Sequence, residues 1–203
     1  MRRMPAQLAA LFLSSLTLCA YANLEREFSV DDFNSVAVSQ GINLNLVMGS
    51  APSVTAVAED DSDLDSLEIE VEDGELEIRR GSWVSGLFSM GKSRRSVTVY
   101  VVARELQAVA SSLGANADLI DIRCTDLLVD ASTGSRIDVS GRCDTVAIDA
   151  SSGAVVDSAD LLATDASVDS SSGASIKVFG NPEVAESETS SGASIDLRHK
   201  QTI

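Results

Sequence analysis

Ser132-Thr133-Gly134-Ser135, Ser151-Ser152-Gly153-Ala154, Ser171-Ser172-Gly173-Ala174 and Ser190-Ser191-Gly192-Ala193 are four versions of one phrase, spaced 19 or 20 residues apart. A fainter copy, Ser112-Leu113-Gly114-Ala115, precedes them. Recurrence at a short fixed period marks stacked supersecondary units. Counting from each glycine locates the inward positions. Five residues before it stand Val109, Val129, Ile148 and Val168, and three after it stand Ala117, Ile137, Val156, Ile176 and Ile195. Polar residues alternate with these, as in Val129-Asp130-Ala131 and Ile137-Asp138-Val139. A period of two belongs to strands. The clusters of Ser and Gly interrupt any helical pattern before it covers three turns.

A repeat of roughly 20 residues at ~3.3 Å each traces about 66 Å less its turns, enough for one circuit of a small core. The expected fold is therefore all-β, a right-handed parallel β-helix with about 20-residue coils and very short strands, its five coils spanning Leu106 to Arg198. In such a solenoid equal positions of successive coils pile into ladders ~4.8 Å apart. The preceding half is β-rich but less regular. Val36-Ala37-Val38, Ile42-Asn43-Leu44-Asn45-Leu46 and Val54-Thr55-Ala56-Val57 are strand candidates. Leu67-Glu68-Ile69-Glu70-Val71 faces Leu76-Glu77-Ile78 across Asp73-Gly74, a strong hairpin signal. A short acidic helical turn fits between Glu59 and Leu67, and a long excursion runs from Arg79 to Arg95 before Val97-Thr98-Val99-Tyr100-Val101 resumes the alternation.

The N-terminus reads as an export signal: Arg2 and Arg3, an apolar run from Leu8 to Cys19, and the small-x-small site Ala20-Tyr21-Ala22. Cys19 is a poor lipidation site, because Leu18 occupies a position that needs a small residue. The expected organisation is a cleaved signal over residues 1–22, a β-rich half over 23–105 carrying the loop 79–95, and regular repeats over 106–203. Cleavage leaves 13 basic residues against 31 acidic ones, a formal charge of −18. That field repels nucleic acid and anionic lipid on average and favours cations. No later stretch approaches the length of a transmembrane helix.

Four constellations are candidates for function. Asp130, Asp149, Asp169 and Glu188 each stand four residues before a corner glycine and should stack as one outer carboxylate ladder. Two readings fit it, a solvated acidic face or a row of divalent cation sites, calcium foremost. Asp118, Asp138, Asp157 and Asp196 stand four residues after the glycine, interrupted by Lys177. Cys124 and Cys143 both stand ten residues before a corner glycine, hence at one position of adjacent coils, where a disulfide or a buried thiol pair would form. Trp83, Leu87, Phe88 and Met90 cluster in the excursion, with Arg79, Arg80, Lys92, Arg94 and Arg95 about them. This apolar tip with basic flanks either caps an open end of the stack or meets an anionic surface or partner. His199, the single histidine, stands near the C-terminus, and no Gly-x-Ser-x-Gly elbow occurs, so the serines read as corners.

Phe33 through Val38, Gly41-Ile42-Asn43, Asp73-Gly74-Glu75-Leu76, the Ser-Gly-Ala corners and Phe179-Gly180-Asn181-Pro182 resemble, in that order, the head GIN domain family. The resemblance spans nearly the whole chain after residue 22. It implies an exported bacterial β-helical protein of adhesin type, located in the periplasm or at the cell surface, without established catalytic residues. The expected function is therefore a non-catalytic surface-interaction module with no cofactor beyond calcium, meeting a surface, glycan or protein ligand. Edge strands at its ends could join copies end to end. The rival is a carbohydrate-active β-helix enzyme with an acid pair on its groove, acting on envelope polysaccharide. The low aromatic content and the lack of a distinctive acid pair weigh against that rival.

Overall fold

Every repeat corner turns through two consecutive residues in the left-handed region, for example Thr133 and Gly134 (φ 51° and 68°) and Ser172 and Gly173 (51° and 76°). Two left-handed residues in succession define a type I′ turn, and glycine takes the second place without steric cost. The residue after the glycine closes each turn, its amide donating to the leading serine carbonyl at 3.0 to 3.1 Å. The glycine amides donate onward to the neighbouring corner, Gly114 to Thr133 O and Gly134 to Ser152 O at 3.1 Å and Gly153 to Ser172 O at 3.2 Å. The corners thus stack in a column held by backbone bonds.

The computed structural model describes residues 23–81, 96–180 and 183–199. Its strands are β1 (Leu24–Phe28), β2 (Ser35–Val38), β3 (Asn43–Met48), β4 (Ser53–Ala58), β5 (Leu67–Glu72), β6 (Glu75–Arg80) and β7 (Thr98–Ala103). They continue as β8 (Ala108–Ser111), β9 (Asn116–Ala131), β10 (Arg136–Ala150), β11 (Val155–Leu162), β12 (Asp165–Ser170), β13 (Ser175–Gly180), β14 (Glu183–Thr189) and β15 (Ser194–His199). One short acidic helix, α1 (Asp61–Asp65), lies between β4 and β5, where the acidic turn is expected. Residues 1–22, expected as an export signal, lie outside the described residues.

Parallel pairing one repeat apart holds among the repeats, with Ile137 beside Ala117 and Val156, and Ile148 beside Val129 and Val168. The expected inward positions Val109, Val129, Ile148, Val168, Ala117, Ile137, Val156 and Ile176 are all buried. Ile195, on the terminal strand β15, is only partly covered.

The expectation of a right-handed parallel β-helix is nevertheless overturned. All fifteen strands belong to one mixed sheet, in which β1 with β4, β4 with β7 and β5 with β6 run antiparallel. This sheet bends round a single core into a nearly closed, barrel-like form. Nor are the strands all short: β9 and β10 extend over 16 and 15 residues. Each serves two parts of the sheet, since β9 pairs with β3 through residues 116–120 and with β8 through residues 128–131. At the Ser-Gly corners a turn ends the strand, whereas β9 and β10 pass their second corner by a bulge. Asp121 (φ 53°) and Gly141 (φ 133°) mark that bend, and the register shifts between Val139 and Gly141. A Cβ on Gly141 would overlap the backbone of Ile122, which explains the glycine.

The first half supplies the antiparallel part. Asp73 and Gly74 (φ 50° and 85°) form the predicted hairpin, setting Val71 opposite Leu76 and Ile69 opposite Ile78. Gln40 and Gly41 make a further left-handed pair that delivers Ile42, fully buried, into the core. Leu44, Leu46, Leu76 and Ile78 from this half and Leu119, Ile137 and Ile176 from the repeats join in one buried cluster. The sheet runs without interruption across position 105, because β8 pairs with both β2 and β9.

Candidate functional site

The first carboxylate column is assembled in register. Asp130 faces Asp149, Asp149 faces Asp169 and Asp169 faces Glu188 as paired residues of β9, β10, β12 and β14. Alternation along each strand turns these acids outward while Val129, Ile148 and Val168 turn inward. The acids and the serines of the following corners, Ser151 and Ser171 among them, line an open groove of about 350 Å³. None of the four carboxylates makes an ion pair or side-chain hydrogen bond among the described residues. Asp149 carries the consequence: partial burial, then the charges of Asp169 and Asp130, raise its pKa above the ordinary 3.8. Among the described residues no group of three or more Asp, Glu, His or Cys side chains converges closely enough to hold a metal ion. The column is a row of separate carboxylates.

The second column is compensated. Asp118, Asp138, Asp157, Lys177 and Asp196 follow one another across β9, β10, β11, β13 and β15. Arg136, two residues before Asp138 and therefore on the same face, grips it through two bonds of 2.6 Å and lies 4.0 Å from Asp157. Lys177 adds a contact of 3.1 Å to Asp157. Burial and then the charge of Asp138 raise the pKa of Asp118, with Arg136 opposing, while the bond to Asp138 raises that of Arg136. The two columns share a geometry and differ in charge balance.

Cys124 and Cys143 are paired residues of β9 and β10 and are joined by a disulfide, their Cα atoms 4.6 Å apart. Asn43 accepts a hydrogen bond from Asn116 at 3.0 Å and donates to Ser96, so its amide is engaged within the sheet. The apolar tip, Trp83, Leu87, Phe88, Met90, Arg94 and Arg95, lies outside the described residues.

Arg79 and Arg80 were expected in the excursion, yet both end β6. Arg79 binds Glu68 at 2.8 Å and Glu77 at 2.9 Å, and buried Arg80 reaches Asp63 at 3.2 Å. Inward alternation through Leu76, Ile78 and Arg80 is the signal that could have placed Arg80 on the strand. Arg123 and Arg142 belong to no motif, yet each precedes one of the paired cysteines and so shares their register, which is the signal that brings them side by side. Tyr100 is half exposed on the outer face of β7 beside Asn45, with no signal in the sequence beyond the alternation of its strand.

A family model described as "Putative auto-transporter adhesin, head GIN domain" matches residues 32–198. The chain belongs to the head GIN domain family. Two solved structures share its fold. A protein titled a putative adhesin from Parabacteroides distasonis superposes with a TM-score of 0.69 at 18% identity, covering 88% of this chain and 75% of that one. Another of the same description, from Bacteroides fragilis, gives 0.57 at 11% identity, covering 89% and 98%. No curated protein matches the chain. Within the described residues of this head GIN domain, no helix is long and apolar enough to cross a membrane.

Proposed function

We propose that this head GIN domain is an exported, adhesin-like binding module without catalytic activity, released by cleavage after Ala22 and working in the periplasm or at the cell surface. The observation that carries the reading is the Asp130, Asp149, Asp169 and Glu188 column. It presents four uncompensated carboxylates in register on an open face rather than within an enclosed cleft. A rigid sheet that repeats one side chain at a fixed spacing suits recognition of a repetitive surface, with divalent cations as counterions along the column. The tip around Trp83, Leu87, Phe88 and Met90 offers a second contact, of apolar and basic character. The division at position 105 would then separate a β-rich half bearing that tip from a half bearing the columns.

Fractionating cells into periplasm, outer membrane and medium, followed by binding of residues 23–203 to immobilised envelope glycans, tests the proposal. Export and calcium-dependent retention without release of reducing ends are expected. Retention in the cytoplasm, or turnover of the glycan, would overturn it.

A further inference from the structure

The second region of interest is a basic site in this acidic chain. Arg123 and Arg142 are paired residues of β9 and β10, both exposed, each one residue before a cysteine of the Cys124–Cys143 bridge. Six other basic side chains among the described residues each hold a carboxylate. Arg26 binds Asp61 and Asp65 at 2.8 Å, Arg79 and Arg80 bind Glu68 and Asp63, Arg104 meets Asp32 at 3.3 Å, and Arg136 and Lys177 take Asp138 and Asp157. The side chains of Arg123 and Arg142 make no ion pair or hydrogen bond among the described residues, in a chain that offers 31 carboxylates. Two like charges are instead placed side by side on neighbouring strands, where they repel.

From this geometry we infer that Arg123 and Arg142 form an oxyanion site that takes a single phosphate group. A guanidinium binds an oxyanion through parallel N–H bonds, and two of them one strand apart can bracket it from both sides. The groove between them is lined by Ile122, Gly141, Asp121 and Asp144 as well as the two arginines. Gly141 contributes no side chain and leaves the approach open, while the disulfide holds the adjoining backbones 4.6 Å apart at Cα, so the strands that carry the two arginines are fixed before binding. The column ends in an apolar residue, since the next position beside Arg142 is Leu162. Asp121 and Asp144 line the same groove, so what suits a phosphate is the paired guanidinium forks rather than a local excess of positive charge, and the two carboxylates together with the acidic chain beyond them oppose a long polyanion. The acidic column on β9, β10, β12 and β14 takes no part, so this site can fail while the proposed surface-binding role survives, and the reverse.

The test titrates residues 23–203 with inorganic phosphate at constant ionic strength, with chloride as the reference, and follows the arginine side-chain signals by NMR. Saturable shifts at Arg123 and Arg142 are expected with phosphate and not with chloride. Arg123→Gln and Arg142→Gln should each weaken the affinity about tenfold or more, the loss that follows removal of a charged hydrogen-bonding partner. Arg142→Lys, which keeps the charge and the fold, should weaken it as well, because the fork is lost. Equal linear shifts with both salts, or wild-type affinity in all three variants, would overturn the assignment. A second arm uses vesicles of phosphatidylglycerol in phosphatidylcholine: binding to them without any response to inorganic phosphate would replace the phosphate site with a membrane contact and also overturn it.

Discussion

Replacing Asp149 by Asn should stabilise this protein at neutral pH, against the usual direction for a substitution within a strand. Asp149 stands between Asp130 and Asp169 and has no cationic partner among the described residues. At a strand spacing of ~4.8 Å each neighbour costs about 0.9 kcal/mol in bulk water, and screening over a Debye length of ~8 Å reduces this to about 0.5 kcal/mol. Two neighbours make about 1 kcal/mol, or a rise in Tm of roughly 2 to 4 °C for a chain of this size. Asp130 faces Asp149 on one side and Ala110 on the other, so Asp130→Asn should recover half as much. Because burial and both flanking charges raise the pKa of Asp149 in the folded chain, the native state binds its proton more tightly than the unfolded state does. The stability from that proton is complete below the unfolded value of about 3.9 and is lost as pH rises through the folded value. Urea denaturation of wild type and both variants at several pH values from acid to neutral is the assay. Asp149→Asn should remove part of the wild-type decline with rising pH and lose its advantage in high salt. A variant less stable than wild type at pH 7, or equal effects at positions 130 and 149, would refute like-charge repulsion as the governing term.

Millimolar calcium should raise the Tm of the wild-type protein and do so less in Asp149→Asn; the same shift in both would remove the column as the cation site. Breaking the Cys124–Cys143 bridge with Ser at both positions should cost about 3 kcal/mol, from a sequence separation of 19 residues, and reduction of the wild-type protein should reproduce the loss in a urea melt. Gly134→Ala should cost about 1 kcal/mol, since φ is 68° and the space around it is open. Gly141→Ala should cost several times more, because its Cβ meets the backbone of Ile122; equal drops in Tm for the two would contradict the packing at the bulge.

What could be read in advance follows from the glycine frame. Once each residue is numbered from its corner glycine, the period of two separates inward Val129 and Ile148 from outward Asp130 and Asp149, and the constant spacing places equal positions side by side. The first column and the cysteine pair are direct consequences of that numbering. The mixed sheet is not, because beyond the Asp73-Gly74 hairpin its antiparallel contacts join distant segments without a common phrase: Leu24 pairs with Ala58 and Val57 with Thr98. Pairings of that sequence separation are decided by the closure of a shared core, and local alternation is the same for a strand of either direction.

The charge balance of the columns depends on a finer detail, the residue two places along each strand. Asp138 is neutralised because Arg136 precedes it on the same face, whereas Asp149 has Ala147 at that place and stays uncompensated. Arg142 stands two residues before Asp144, yet no ion pair joins them among the described residues. In the first case the strand is regular and alternation brings the two side chains together, with Arg136 and Asp138 bonded at 2.6 Å. In the second, Cys143 between them is buried and held by the disulfide, next to the bulge at Gly141. Three outward columns of distinct charge therefore arise on one frame: an acidic one, a paired one and a basic one. The charge of each outward face is set by individual positions: Arg136 and Lys177 break the acidic run of the second column, while Arg123 and Arg142 recur at one position of adjacent repeats.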